Sequence, residues 1–527
     1  MKTITVKEVR GGMSAIVGAL LDTFFDVHGH DMRSSGFQLK LHDNTELRVF
    51  ATLDVLIADE AALHAAYACK GSAGLKPCLL CQNVFNARTA RNIVDRDPTG
   101  FAQSHTCVDA SKLVAHTPAT ITAIMRRLSA AADTLTLKDL AEVQTRLGWN
   151  WLPEGLLMQP RWKELADPTR VAWYDWMHVW LVNGVFNSHM GLMMKSLKPC
   201  GITYPMLDTY VKMFKWPGFV GSSAGKDVFS PKRAKSSWEE GSLKATASEC
   251  LSLVPVVGNY MQALMENTQS DTVRQHAAAF LLLVMVIELL QRTARGNVDP
   301  DVLRAAIVAH LQAFRNLFGV DAMPPKVHYC LHFPEFLRRL GYLPNCFVLE
   351  RKHKVPKRFG NQVLNTSGAW EGAVLRDVSC HHVAKLTDGT YLFGVGACLI
   401  DPSPPKKTML KMLQQEFGAR DDPQFATARC ARINQWERCS VHDVVLARVE
   451  DADIVGQVSF HASANLDGEV NCFTGLRRWE LLEEGTRSAK YRKVTDRPLI
   501  IMTDEITCAL VWGGDSTVVS IVKPSRI

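Results

Sequence analysis

ADEAALHAAYACKGSAGLKPCLLC, residues 58–81, places the acidic pair Asp59 and Glu60 and three cysteines in a short stretch. The preceding residues 47–59, LRVFATLDVLIAD, predict a strand that ends at Asp59, and EAALHAAYACK has helical composition. An acid at the end of a strand is a common way to present a catalytic group, and the alternative is a helix N-cap. Cys78 and Cys81 are spaced to bind one tetrahedral metal ion or to form a redox disulfide.

The composition indicates a globular protein with reduced thiols. The 527 residues are 47% hydrophobic and 21% charged, which excludes a disordered chain and suggests about two to four domains. Fourteen cysteines are scattered without a repeating frame, as expected in cytosol or nucleus. The net charge of +7 is compatible with a polyanionic partner. The apolar run 277–287 is too short to span a bilayer, so we expect a core helix and no membrane partner.

The order of predicted elements divides the chain into three kinds of segment. The first sixty residues predict a short helix followed by strands, and residues 115–345 are mostly helical in pattern. Beyond about residue 430, short β-type runs separated by turn residues are typical of a small barrel or sandwich.

Two distant stretches carry further candidate residues. KVHYCLH places His328 and His332 four apart, on one helix face, as ligands to a shared ion or as two ordinary surface histidines. In YDWMHVWL, Asp175 and His178 share a face at helical spacing, and a local hydrogen bond inside a helix is the alternative.

A basic run follows the histidine pair. In FVLERKHKVPKRF, Glu350 precedes five cations, and the alternatives are a phosphate-binding surface or a solvated face in which Glu350 pairs with a lysine. The cations are Arg351, Lys352, Lys354, Lys357 and Arg358.

The order of these parts resembles the catalytic core of DDE transposases that carry an inserted helical domain. The resemblance is to the CACTA (En/Spm-type) group and, more distantly, to the Transib transposases and the V(D)J recombinase core. Residues 58–81 are similar to the stretch in which the second catalytic Asp precedes KGHSG and a CxxC. DWMHVWLVNGV, KVHYCLH and FVLERKHKVPKR are similar to that group's later motifs, so that the match covers about residues 35–385.

The resemblance implies an α/β RNase H-like core, truncated at its amino terminus, with a large all-helical insertion and a small β-barrel domain after it. Asp59 would be the second catalytic acid and Glu350 the third, holding Mg²⁺ or Mn²⁺. Cys78, Cys81, His328 and His332 would bind one structural Zn²⁺. The expected segments are a partial core with the CxxC (1–85), a helical insertion (86–322), core-completing helices (323–390), a linker (391–430) and a β-rich domain (431–527).

The resemblance also implies a function. We expect a transposase-derived protein whose ancestral reaction is metal-dependent DNA strand cleavage and transfer, with DNA as partner, a homo-oligomer as one assembly and a nuclear location. No Asp before Asp59 fits the first catalytic acid, so activity is expected to be low or absent, with a cytoplasmic location for a non-functional relic. The alternatives are a non-catalytic DNA- or chromatin-binding protein and a thiol enzyme that uses the CxxC as a redox pair.

Overall fold

The computed structural model describes residues 6, 8–27, 30–40, 44–347, 354–362, 370–387, 396–417, 425–434, 437–466, 469–494 and 497–523. Their α-helices are Gly12–Phe25 (α1), Glu60–Ala66 (α2), Arg91–Asp95 (α3), Pro118–Thr134 (α4), Leu137–Leu147 (α5), Pro160–Lys163 (α6), Pro168–Val171 (α7), Trp176–Leu181 (α8), Val185–Leu197 (α9), Tyr204–Lys212 (α10), Pro231–Glu240 (α11), Ala247–Asn267 (α12), Asp271–Arg292 (α13), Pro300–Phe318 (α14), Lys326–Tyr329 (α15), Phe333–Leu340 (α16), Lys354–Gln362 (α17), Trp370–Thr387 (α18) and Lys407–Phe417 (α19).

The strands are Asp26–Val27 (β1), His30–Asp31 (β2), Phe37–Lys40 (β3), Glu46–Val49 (β4), Leu56–Ala58 (β5), Val84–Phe85 (β6), Gln103–Ser104 (β7), Ala172–Tyr174 (β8), Phe214–Lys215 (β9), Cys398–Ile400 (β10), Phe425–Ala428 (β11), Cys430–Arg432 (β12), Arg438–Ser440 (β13), Val444–Val449 (β14), Ala452–Leu466 (β15), Glu469–Glu484 (β16), Ser488–Lys493 (β17), Leu499–Met502 (β18), Ile506–Gly514 (β19) and Val518–Val522 (β20). The chain divides into two compact units. Unit 1 comprises Met1–Leu192 and Met285–Val348, and unit 2 comprises Met193–Val284 and Leu349–Ile527.

Two of the two-stranded sheets of unit 1 lie close in sequence to Asp59. Strands β3 and β4 form an antiparallel hairpin, and β5 pairs in parallel with β8, so that Ala58 lies opposite Tyr174. The amide of Asp175 donates a hydrogen bond to the Ala58 carbonyl at 3.1 Å and extends the parallel register by one residue. Parallel pairing brings the carboxyl ends of β5 and β8 to one edge, where Asp59 and Asp175 follow the strands.

By length and apolar content, TRVAWYDWMHVWLVNGVFNSHMGLMMKSL, residues 169–197, predicts one helix, and this prediction is wrong. The segment ends α7, forms β8 and then continues as the two helices α8 and α9. Trp173 and Tyr174 in β8 are almost fully buried, and a short buried strand cannot be distinguished from a buried helix by periodicity alone. Asn183 has φ 45°, and at Gly184 a Cβ would lie 2.4 Å from the Val179 carbonyl oxygen, so the chain turns tightly between α8 and α9. The segment 86–322 is therefore helix-rich, as expected, but not all-helical.

Helix α13 is long and apolar enough to cross a membrane by length and composition alone. Its 18-residue window has a mean hydropathy of 1.8 and is 56% buried inside the protein. Phe280, Leu283 and Ile287, from the apolar run noted in the sequence, are fully buried. The apolar face of α13 is thus covered by protein, as in a core helix.

Unit 2 contains a carboxyl-terminal antiparallel sheet, which confirms the β-rich prediction at that level. The strand order is β11-β15-β14-β19-β20-β17-β16-β18, and β9 pairs with β19. Strand β15 also pairs with β16, so the pairings run in a closed circuit through β14, β19, β20 and β17.

The faces of this sheet follow the two-residue period of β-strands. Val445 packs in one apolar cluster with Leu476, whereas its neighbour Val444 packs in a second cluster with Trp479 and Trp512. The segment predicted as a linker, 391–430, contains β10, α19 and β11, and Leu413 of α19 packs on β15. Strand β11 pairs with β15, and β10 pairs with β12, which in turn pairs with β13.

Candidate metal centre

Two segments that are far apart in sequence meet in unit 1. The CxxC turn, which follows α2, supplies Cys78 and Cys81, and the helical segment α15 with the 3-10 turn Cys330–His332 supplies His328 and His332. One ligand atom from each of the four residues lies within 4.8 Å of the other three. The structure thus brings together all four residues predicted as one site, and these residues can hold a metal ion.

The distances within this cluster, which we call the Cys2His2 cluster, are short and centred on His332. Its Nε2 lies 3.4 Å from Cys78 Sγ, 3.7 Å from Cys81 Sγ and 3.3 Å from His328 Nε2. Two imidazole nitrogens at this distance are held either by one shared N–H···N proton or by a cation between them. A metal ion bound by both nitrogens would take the place of that proton.

The thiols are electrostatically unequal. Burial raises the pKa of the Cys78 thiol, but the hydrogen bond with Cys81 and the His328 and His332 rings together hold that pKa well below its usual value. The same hydrogen bond, followed by burial, raises the pKa of Cys81. The Leu80 amide also donates to Cys78 Sγ at 3.3 Å. The cluster therefore favours a thiolate at Cys78, and a thiolate is the form that binds metal ions.

Two stacked tyrosines fix the CxxC turn against the histidine segment. The rings of Tyr174 and Tyr329 stack with centroids 4.2 Å apart. The Tyr329 hydroxyl donates to the Pro77 carbonyl at 2.8 Å, and the Tyr174 hydroxyl accepts from the Leu79 amide at 3.2 Å. Because both tyrosines are buried, these hydrogen bonds orient the turn with little freedom.

Arg339 links the histidine segment to both parallel strands. Its guanidinium lies 5.0 Å from the Trp173 ring, forms an ion pair with Asp54 at 2.9 Å and bonds to the Arg170 carbonyl. The Trp173 ring stacks on Phe336 of α16 at 4.4 Å. The helix that follows the histidines is thereby tied to the segments leading into β5 and β8.

Asp59 lies at the edge formed by β5 and β8, and it caps α2. Its Oδ1 accepts from the Ala62 amide at 2.7 Å, so Asp59 is the N-cap of α2, directly after β5, and its catalytic role stays a prediction. Burial raises the pKa of the neighbouring Glu60, while Lys326 and His178 lower it and Asp59 raises it. Glu60 Oε2 is buried without a hydrogen-bond partner.

The sequence predicted that Asp175 and His178 share one helix face. In the structure only His178 lies within α8, and Asp175 is its N-cap. Its carboxylate accepts from the Met177 and His178 amides, each at 3.2 Å, and Oδ2 lies 2.5 Å from His178 Nδ1. The predicted Asp175–His178 hydrogen bond is thus present, but it belongs to a helix cap. His189 lies in the separate helix α9, where its Nδ1 is 3.0 Å from Nε2 of buried His310.

The structure adds residues that the sequence did not single out. Cys346 donates its amide to Asp175 Oδ1 at 3.1 Å, and its Sγ joins a group with Asp175 and His178. Lys326 donates to the His178 and Val182 carbonyls at 3.0 and 2.8 Å, and burial lowers its pKa. A lone cysteine in LPNCF has no spacing signal, so only the tertiary contact identifies it.

Several predicted site residues lie outside the described residues, so the Asp59–Glu350 separation stays a prediction. Lys357 and Arg358 are described: both are exposed on α17, in unit 2. Glu350, Arg351, Lys352 and the side chain of Lys354 fall outside the described part.

The fold and site thus define a helix-rich protein with an antiparallel carboxyl-terminal sheet and a Cys/His group that can hold a metal ion. A scan against protein families, a search of characterised proteins and a search of solved structures each found no match.

Proposed function

We propose that this chain is a transposase-derived DNA-binding protein whose core is held together by a structural Zn²⁺ ion in the Cys2His2 cluster. One observation carries the proposal: the cluster joins a CxxC to a histidine pair about 250 positions away, in the order that the DDE-transposase resemblance implies. The DNA partner and the family follow from that resemblance, and the geometry supports the metal.

The ligand distances fit zinc. In a tetrahedron with Zn–S of about 2.3 Å and Zn–N of about 2.0–2.1 Å, the N···S edges are about 3.6 Å and the N···N edges about 3.3 Å. The cluster has N···S distances of 3.4 and 3.7 Å and an N···N distance of 3.3 Å. Two thiolates and two imidazoles form a closed ligand set, which is typical of structural rather than catalytic zinc. When bound, the ion would supply a cross-link between the two segments.

The arrangement of β3, β4, β5 and β8 supports an RNase H-like core. The antiparallel hairpin of β3 and β4 precedes β5, which pairs in parallel with β8. An acidic residue directly follows each of these parallel strands, Asp59 after β5 and Asp175 after β8. The closed circuit of antiparallel pairings in unit 2 supports the small β-barrel of the same proposal.

The basic run on α17 is the proposed DNA contact. Lys357 and Arg358 project from a helix with both side chains exposed, so each can reach a phosphate without desolvation of a buried charge. Contacts of this kind give affinity that falls as salt rises, with a slope of about −0.9 per phosphate neutralised. Because the proposed partner is DNA, we also propose a nuclear location.

Fluorescence anisotropy with a labelled 30-base-pair duplex, measured at several salt concentrations, tests DNA binding. The double variant Lys357→Ala/Arg358→Ala should reduce the slope of log K against log salt by about 1.8. Arg126→Ala/Arg127→Ala is the matched control, because it removes two exposed cations from α4 in unit 1. No binding at low salt, or the same loss in both double variants, would reject the proposed surface.

A second candidate is that the chain still cleaves DNA with Mg²⁺ or Mn²⁺ at Asp59 and Glu350. The observation in its favour is that acids follow two adjacent parallel strands at one edge. Against it, Asp59 Oδ1 is engaged in a helix cap, and Asp175 lies with His178 and Cys346, whose nitrogen and sulfur donors suit neither Mg²⁺ nor Mn²⁺. At this edge, the described residues Asp59 and Asp175 therefore supply no open pair of carboxylates for a two-metal reaction, in which the ions activate the attacking oxygen and stabilise the leaving oxygen.

Supercoiled plasmid incubated with the full chain and Mg²⁺ or Mn²⁺ separates the two candidates. Binding without nicking supports the scaffold function. Nicking that is lost in both Asp59→Asn and Glu350→Gln, but kept in the exposed-acid control Asp133→Asn, supports cleavage. Nicking that all three variants retain would indicate a contaminating nuclease.

A further inference from the structure

A second group of ligand-type side chains lies beyond the end of β8, apart from the Cys2His2 cluster. One carboxylate oxygen of Asp175, one ring nitrogen of His178 and Sγ of Cys346 lie within 4.8 Å of one another. We propose that these three residues form a second metal site, selective for a divalent transition metal of the Zn²⁺ class, with one coordination position left for water.

The donor types decide the class of metal. One carboxylate, one imidazole and one thiol are a mixed set that suits Zn²⁺, whereas Mg²⁺ and Mn²⁺ prefer oxygen-only ligands. Three protein ligands with an open fourth position is the arrangement of reactive rather than structural zinc sites. The Cys2His2 cluster differs in this respect, since its four protein ligands complete a tetrahedron.

The shape of the group argues against a thiol–imidazole–carboxylate relay. In such a relay the thiol and the carboxylate bond to opposite nitrogens of the ring, so the ring and two hydrogen bonds separate them. Here Cys346 Sγ lies within 4.8 Å of a carboxylate oxygen of Asp175. Asp175 also contacts His178 directly, with Oδ2 at 2.5 Å from Nδ1. The 2.5 Å between Asp175 Oδ2 and His178 Nδ1 is shorter than a ligand edge of a zinc tetrahedron, so a shared ion would take the place of the proton between these atoms and widen that edge.

The backbone holds the donors in place. Asp175 Oδ1 accepts from the Cys346 amide at 3.1 Å and from the Met177 amide at 3.2 Å, which fixes the carboxylate and brings the cysteine backbone to it. The Asp175 side chain is fully buried, while the His178 side chain is 16% exposed. Solvent and a metal ion can therefore reach the group from the His178 side.

Metal analysis of the purified full chain tests the site without reference to DNA. The chain should contain two equivalents of transition metal after exhaustive dialysis, and Cys346→Ser and Asp175→Asn should each contain one. Cys69→Ser, which removes a buried thiol outside both groups, should keep two. After cobalt substitution, the sulfur-to-cobalt charge-transfer absorption should fall by about a third in Cys346→Ser, because one of three sulfur ligands is lost.

A wild-type chain with one equivalent, and a cobalt spectrum that Cys346→Ser leaves unchanged, would overturn the second site. If Cys346→Ser fails to fold, the wild-type count and the His178→Gln count decide the question. Because zinc in the Cys2His2 cluster and binding to DNA are measured separately, failure of this site leaves the proposed function standing, and the reverse also holds.

Discussion

Removal of one cysteine ligand should abolish the stabilisation that metal gives to unit 1. Cys78 and Cys69 lie nine residues apart and both thiols are buried, but only Cys78 belongs to the Cys2His2 cluster. Burial raises the pKa of Cys69 to about 12, and its Sγ donates to the Gly148 carbonyl, so it stays a protonated thiol. Cys69→Ala is therefore a matched control for Cys78→Ala.

The expected magnitudes follow from linkage. Each substitution removes one buried sulfur and should cost about 1–2 kcal/mol through lost packing. A bound metal adds RT ln(1 + [Zn]/Kd), which is about 4 kcal/mol when free zinc is a thousand times Kd. For a unit of this size, a loss of 4 kcal/mol corresponds to a fall of about 8–16 °C in the melting temperature.

Differential scanning calorimetry with and without a strong chelator measures both effects. Wild type and Cys69→Ala should each melt about 8–16 °C lower in chelator, whereas Cys78→Ala should melt low in both conditions and not respond. Equal chelator responses in the two variants, or no response in wild type, would refute a metal cross-link at Cys78.

Three further predictions concern packing and pH. Tyr329→Phe removes the buried hydrogen bond to the Pro77 carbonyl, which His64 also contacts, so urea denaturation should show a loss of about 0.5–1.5 kcal/mol. Burial lowers the pKa of His310 from 6.5 to about 3, so between about pH 3 and 6.5 this histidine is protonated in the unfolded chain but neutral in the folded one. Stability should therefore fall as pH falls from about 6.5 towards 3, by up to about 1.4 kcal/mol per pH unit, and His310→Phe should reduce that slope. In Gly475→Ala a Cβ would lie 2.1 Å from the Phe460 ring, so its melting temperature should fall, whereas Gly372→Ala has open space and should show no such loss.

The sequence predicted the Cys2His2 cluster because its ligands come in two locally spaced pairs. The spacing of Cys78 with Cys81 and of His328 with His332 is visible without knowledge of the fold, and the resemblance joined the pairs. Cys346 carries no such signal, because its contact with Asp175 depends on how β8 is placed against a segment about 170 positions away.

Strand β8 was missed for a related physical reason. Its three residues are buried on all sides, and such a run lacks the alternation of polar and apolar side chains that marks a half-buried strand. Only the parallel pairing with β5 selects the extended conformation over the helix. The position of Asp175 at a strand end, rather than within a helix, follows from that pairing and could not be read from the order of residues.

The two halves of the Cys2His2 cluster are separated by a long segment, but the free-energy cost of closing a loop grows only slowly with its length. A large helical region can therefore lie between the metal ligands. Closing a flexible loop costs about 0.6 kcal/mol more for each doubling of its length. An increase from a loop of about 15 residues, as in small zinc domains, to one of about 250 is four doublings, or about 2–3 kcal/mol. At a free zinc concentration of a thousand times Kd the ion contributes about 4 kcal/mol, which exceeds this cost. The stability of the junction should therefore depend on ligand identity far more than on the length of the intervening segment, and shortening that segment at an exposed turn should change the chelator response very little.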